Sequence, residues 1–184
     1  MRLKLFMVTK SDNYLESLLY DSSRAAIDKA FKVVEADTEC LGAMLALCAR
    51  PYPFAMRAAR VMQLFFEKYP ESIIPFLTFL TDELLKTGVD GVKRSFLKIM
   101  IDHVDVAQIP NAGLVFNQCL NWLYSPKEAI AVRAFSLDLA VKFVLKEPDL
   151  KNELMLVFEN VTFDESPGLE ARKIKCMKRL NIQG

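Results

Sequence analysis

Histidine is scarce in this chain of 184 residues, which carries a single one, His103. The carboxylates of Asp102 and Asp105 lie one and two positions away, and on a helix that spacing does not direct three ligands to one point. We therefore predict a solvated helix end at His103 and no metal site. The sequence also lacks the H-E-x-x-H, C-x-x-C, G-x-S-x-G and phosphate-loop patterns. These absences argue against an enzyme, catalytic residues or a cofactor.

Strong charge of one sign is also missing, because the formal net charge is only +1. We therefore expect no long-range attraction to nucleic acid or to an anionic membrane. The longest apolar run, Leu41 to Ala49, is far shorter than the roughly 20 residues of a membrane span. Lys4 and Lys10 interrupt the first ten residues, which do not resemble a secretory signal. The expected location is the cytoplasm, with no membrane partner.

Cysteine is limited to four residues without the spacing of a disulfide framework, Cys40, Cys48, Cys119 and Cys176. Cys40 and Cys48 are eight residues apart on one predicted helix, which separates them by roughly 12 Å along the axis. That separation is too large for a disulfide. We predict buried, reduced thiols.

Arginine, by contrast, recurs at an almost constant interval. Arg57, Arg94, Arg133 and Arg172 are separated by 37, 39 and 39 residues, and each lies near the start of an apolar helical pattern. Periods of about 40 residues are typical of two-helix units that bury their apolar faces by stacking on neighbouring units. The sequence therefore predicts an all-α helical repeat array.

Proline and capping residues mark the boundaries of these helices. Pro70, Pro110 and Pro148 are spaced by 40 and 38 residues and are expected to end one helix and help start the next. Caps are predicted at Asp90 and, directly before a proline, at Ser125 and Ser166. We predict one structural domain, with capping helices in residues 1–36 and about four repeats in 37–184. The predicted pairs are 38–49 with 53–69, 71–87 with 90–106, 110–124 with 127–146, and 148–160 with 166–181.

The segment Ala131-Val132-Arg133-Ala134-Phe135 resembles the start of the second helix in the HEAT-like, armadillo-type repeat family. The resemblance implies a right-handed α-α superhelix of helical hairpins, and we expect a small, free-standing bacterial member. It also implies that the four recurring arginines form a structural ladder by bonding acidic residues near the turns between helices. The acidic residues placed near those turns are Asp90, Glu128 and Asp164 or Glu165.

Charge differs between the two helices of the predicted pairs. Summed over the four second helices, Lys and Arg outnumber Asp and Glu, whereas the reverse holds for the sum over the four first helices. The resemblance places second helices on the concave face, which would then be basic; an ordinary solvated face is the alternative. Trp122 could anchor a partner at a helix end or could simply be packed. The candidate partner-binding residues are Arg57, Arg60, Lys98, Trp122, Lys142, Arg172, Lys175 and Arg179.

Repeat architecture without a catalytic constellation favours a non-catalytic scaffold that binds a macromolecule, with protein as the first choice. The alternative is nucleic-acid binding, because some HEAT-like arrays that this chain resembles are DNA-alkylation glycosylases. Those enzymes place aromatic residues and an acidic residue around a damaged base. No motif in this sequence identifies which residue would be that acid. We expect a monomer or a weak oligomer.

Overall fold

The computed structural model describes residues 10–163 and 166–182, with side chains described from Tyr14 onward. Within these residues every regular element is a helix and there is no strand, so the all-α prediction is confirmed. The chain forms two compact units, one ending at Ile99 and the other beginning at Met100. Residues 1–9 of the predicted cap lie outside the described residues. The division into a cap and four repeats stays a prediction.

The first unit contains α1 to α5, one 3-10 segment and most of α6. The helices α2 and α4 pack against each other, α1 packs on α3, and α3 pairs with α4. First helices therefore contact first helices, and second helices contact second helices, as stacked hairpins require. The elements are α1 (Lys10–Leu18), α2 (Arg24–Ala36), α3 (Cys40–Leu47), α4 (Phe54–Lys68), the 3-10 segment Pro70–Phe76, α5 (Leu77–Lys86) and α6 (Asp90–His103).

The second unit is built around α8, which packs against α7, α9 and α10. Nine of its 17 residues are buried, and burial of each large apolar side chain contributes roughly 1.5–3 kcal/mol. Three neighbouring helices therefore cover α8. The elements are the 3-10 segment Val106–Gln108, α7 (Ala112–Tyr124), α8 (Ile130–Lys146), the 3-10 segment Pro148–Leu150, α9 (Lys151–Asn160) and α10 (Pro167–Arg179).

Several predicted helix starts and capping residues differ from those in the structure. The helix predicted over 71–87 begins as a 3-10 segment, because Pro75 lies inside it and lacks an N–H donor. Ser125 ends α7 instead of starting α8, which begins at Ile130. Asp90 is the first residue of α6 and not its cap. Pro167 does begin α10, but Ser166 makes no capping bond with its side chain.

Cations on neighbouring helices satisfy the carbonyl groups at helix ends. The Nζ atom of Lys142 on α8 donates to the carbonyls of Met100, Ile101 and Val104 at distances of 3.2, 2.8 and 2.6 Å, at the end of α6. Burial lowers the pKa of Lys142, and nearby carboxylates partly offset that effect. Lys151 similarly donates to the carbonyl of Leu180 at the end of α10. These amines replace the hydrogen bonds that a helix cannot supply to its own last carbonyls.

Replacing Lys142 with methionine should test this contribution. The substitution keeps most of the aliphatic stem but leaves three carbonyls without their donor, so we expect unfolding free energy to fall by about 1–3 kcal/mol in urea denaturation. Lys146→Met is the control, because Lys146 lies one turn later on α8 and is exposed. Its loss should cost less than about 0.5 kcal/mol. Equal losses would contradict the capping role of Lys142.

Gly91 permits a close approach between α6 and α4. A Cβ atom added at this buried position would lie 2.1 Å from Cγ of Met56. We expect Gly91→Ala to destabilise the fold by about 1–3 kcal/mol, because Met56 must move. At Gly113 in α7 an added Cβ meets no atom within 4 Å, so Gly113→Ala should stabilise by up to about 1 kcal/mol. Thermal denaturation of both variants measures the difference, and an unchanged Gly91→Ala midpoint would disprove the steric argument.

Candidate partner-binding surface

The second helices of the first unit, α2 and α4, border a groove of about 300 Å³. Its charges are paired locally: Arg24 Nε lies 2.8 and 2.9 Å from the two carboxylate oxygens of Asp28. Lys68 and the Tyr69 hydroxyl both donate to Glu35, and these bonds lower the pKa of that carboxyl. The lining holds two cations and two carboxylates, so this groove is not basic. Its lining residues are Arg24, Asp28, Phe31, Leu64, Glu67 and Lys68.

Two of the four recurring arginines bond backbone carbonyls. In the first unit, Nη1 of the half-buried Arg57 donates to the carbonyl of Leu19, just beyond α1. In the second unit, Arg133 is only 2% exposed and its Nη2 atom donates to the carbonyl of Thr162 at 3.2 Å. Burial lowers the pKa of Arg133. Each of these two arginines thus connects two segments of its own unit through a backbone carbonyl.

The other two arginines differ from each other. Arg172 on α10 forms an ion pair with Asp138 on α8, and its guanidinium carbon lies 5.5 Å from the centroid of the Phe135 ring. Arg94 is exposed, and its place in the ladder stays a prediction. A shared position in the repeat therefore does not impose a shared environment.

Among the acidic residues predicted for the ladder, Asp90 lies 3.8 Å from the amine of Lys93. Glu128 is half-buried, and Asp164 and Glu165 lie outside the described residues. Asp138, which pairs with Arg172, lies in the middle of a second helix, away from the turns. In the sequence, an isolated carboxylate within the apolar pattern of α8 was the signal that could have identified Asp138 as a functional or structural residue.

Trp122 is only 5% exposed, so the structure contradicts its use as an exposed anchor and bears out the packed alternative. Its neighbour Tyr124 is exposed. Lys142 is engaged with three carbonyls, as described above, and is therefore not a free surface cation. Lys98 is half-buried, whereas Arg60 is exposed.

A basic surface remains between two second helices of the second unit. Lys175 and Arg179 are exposed on α10 and follow Arg172 by three and seven residues, which places all three on one side of the helix. Burial raises the pKa of Asp138, and the positive charges of Arg172, Arg179 and Lys175 offset part of that rise. One half-buried carboxylate thus lies among three cations. We call this the α8–α10 surface, formed by Phe135, Asp138, Lys142, Arg172, Lys175 and Arg179.

Comparison with known families decides the family of this chain. A HEAT repeat domain matches residues 14–180, which is most of the sequence. The chain belongs to the HEAT repeat family. No match was found among curated proteins or among solved structures. HEAT repeat domains are helical scaffolds that often mediate interactions and are typically not enzymes.

All four cysteines of this HEAT repeat chain are buried thiols that form no disulfide, which agrees with the prediction from their spacing. Burial raises the pKa of Cys119 and of Cys176 to about 12, so these thiols stay protonated at neutral pH. His103 is half-buried, and its Nε2 atom is enclosed without a hydrogen-bond partner. The prediction of a solvated histidine is therefore wrong.

In residues 10–163 and 166–182 of this HEAT repeat protein, no three or more His, Cys, Asp and Glu side chains are grouped so that they could hold a metal ion. The same residues include no helix of sufficient length and apolar content to span a membrane.

Substituting the recurring arginines should separate buried members of the HEAT series from exposed ones. Arg133→Ala should cost about 1–3 kcal/mol of unfolding free energy, because a buried side chain is removed and the carbonyl of Thr162 loses its donor. Arg94→Ala should change stability by less than about 0.5 kcal/mol, because the side chain is exposed. Guanidinium denaturation monitored by circular dichroism gives both values. Similar values for the two variants would show that exposure does not distinguish them.

Proposed function

We propose that this HEAT repeat protein is a non-catalytic, cytoplasmic scaffold that binds a protein partner through the α8–α10 surface. The observation that carries the proposal is the pairing of Arg172 with Asp138 beside the exposed cations Lys175 and Arg179. Arg172 already neutralises the carboxylate in this surface. The two remaining cations are therefore available to a partner.

Several other basic residues have a structural role in the fold, which sets Lys175 and Arg179 apart as candidates for binding. Arg57, Arg133 and Lys142 donate to backbone carbonyls, so their charges do not by themselves indicate a ligand. Lys175 and Arg179 are instead exposed on neighbouring turns of α10. A pair of side chains on a rigid helix is suited to a binding surface because the scaffold fixes their spacing.

The four buried cysteines, none of which forms a disulfide, support a cytoplasmic location. Exported proteins of this size often use cysteines in disulfides, whereas reducing compartments keep them as thiols.

Affinity capture from a lysate of the source cells tests the proposal. The wild-type protein, Lys175→Glu, Arg179→Glu and Lys178→Glu would serve as separate baits, with retained proteins identified by mass spectrometry. Lys178 is the matched control, since it is exposed on the same helix next to Arg179 and its reversal changes the net charge equally. We expect at least one protein to be retained by the wild type and by Lys178→Glu but lost from the other two variants.

Nuclease treatment of the lysate distinguishes the nucleic-acid alternative. Retention that survives nuclease digestion supports a protein partner, whereas retention that disappears with the nucleic acid supports the alternative. Equal retention by all four baits would show that the α8–α10 surface is not the binding site. Circular dichroism of each bait verifies that helical content is unchanged.

A further inference from the structure

We infer that the partner contacts the α8–α10 surface through an acidic protein segment that also carries an apolar side chain; this inference rests on the proposed function. The surface combines two exposed cations with one fixed ion pair, and α8 also exposes Leu145 on the side that carries Asp138. A partner with separate carboxylates fits this arrangement better than a nucleic acid with a continuous row of phosphates.

The cations on α10 are arranged along one line. Lys175 and Arg179 are four residues apart, which corresponds to about 6 Å along the helix axis. Acidic side chains one helical turn apart have a similar spacing. An arginine can hold a carboxylate with two parallel hydrogen bonds, whereas a lysine acts as a point charge. Two carboxylates of one partner segment can therefore be bound at the same time.

The negative charge of Asp138 disfavours binding of a polyanion with closely spaced charges. Its carboxylate is held by Arg172 and is close enough to Lys175 and Arg179 to feel their charges. A DNA duplex carries one negative charge per roughly 1.7 Å of its axis, so a backbone laid over these cations would bring phosphates towards Asp138. An acidic peptide can present an uncharged residue at that point. The fixed carboxylate therefore favours protein over nucleic acid.

Leu145 supplies the apolar part of the inference. It follows Asp138 by seven residues and Lys142 by three on α8, so all three occupy the same side of that helix. Leu145 is 50% exposed, and Phe135 on the same helix is half-buried beneath Arg172. A partner residue that covers Leu145 would gain apolar burial next to the charged contacts.

Fluorescence anisotropy with defined probes tests the inference. The probes are a labelled glutamate–leucine peptide, the same peptide with glutamine in place of glutamate, and a duplex DNA. We expect the wild-type protein to bind the acidic peptide in preference to both other probes. Arg179→Glu should weaken peptide binding about fivefold or more, because it replaces an attraction by a repulsion, whereas Lys178→Glu should change it less than about twofold.

Two further variants separate the contributions of Leu145 and Asp138. Leu145→Ser should weaken binding of the glutamate–leucine peptide but not of an all-glutamate peptide. Asp138→Asn removes the fixed negative charge and should raise the affinity for DNA more than the affinity for the peptide. A fall in DNA affinity for this variant would contradict the role assigned to Asp138.

Tighter binding of DNA than of peptide, with loss in Arg179→Glu, would overturn the inference. So would equal weakening by Arg179→Glu and Lys178→Glu, because that result reflects net charge alone. If the acidic peptide fails to bind while lysate capture still depends on Lys175 and Arg179, the inference is wrong and the proposed function stands. If capture is also independent of these residues, both are wrong.

Discussion

Helix ends impose the main chemical constraint on this fold. Each short helix leaves up to four terminal carbonyls without partners inside the helix, and a chain of short helices contains many such ends. Lys142, Lys151 and Arg57 donate to carbonyls at or just beyond three of them. These long side chains reach across from a neighbouring helix or segment, so the same bonds that satisfy a helix end also connect elements within a unit. Part of the basic character of the chain therefore belongs to the fold.

This constraint explains why the sequence predicted the architecture better than the environment of each residue. The regular spacing of arginines and prolines arises from the length of a hairpin, so it correctly indicated paired helices. It carried no information on exposure, and Arg94 and Arg133 consequently looked equivalent although only Arg133 is buried. Proline had a similar ambiguity: Pro148 begins a short 3-10 segment, whereas Pro75 interrupts a helix predicted to be continuous.

The candidate surface was predictable in part. The amphipathic pattern of α10 indicated that Lys175 and Arg179 face away from the core, because residues three and four apart share a side. The pairing of Asp138 with Arg172 was not predictable, since it joins residues 34 positions apart on two helices and depends on how those helices pack. Trp122 was ambiguous for the same reason: its place at a helix end did not reveal the neighbours that cover it.

The burial of α8 has a consequence for how the second unit folds. A helix that is apolar on most sides cannot be stable in water before its neighbours arrive, because isolated helices of this length are marginal and its large side chains would be exposed. Formation of α8 must therefore coincide with the docking of α7 and α10, which makes the transition of this unit cooperative rather than a sequential addition of hairpins. During synthesis, a nascent chain that has emerged only as far as Lys146 would expose the apolar residues of this segment that α10 later covers. Exposed apolar side chains are what chaperones bind, so we expect chaperone binding to be strongest during that interval.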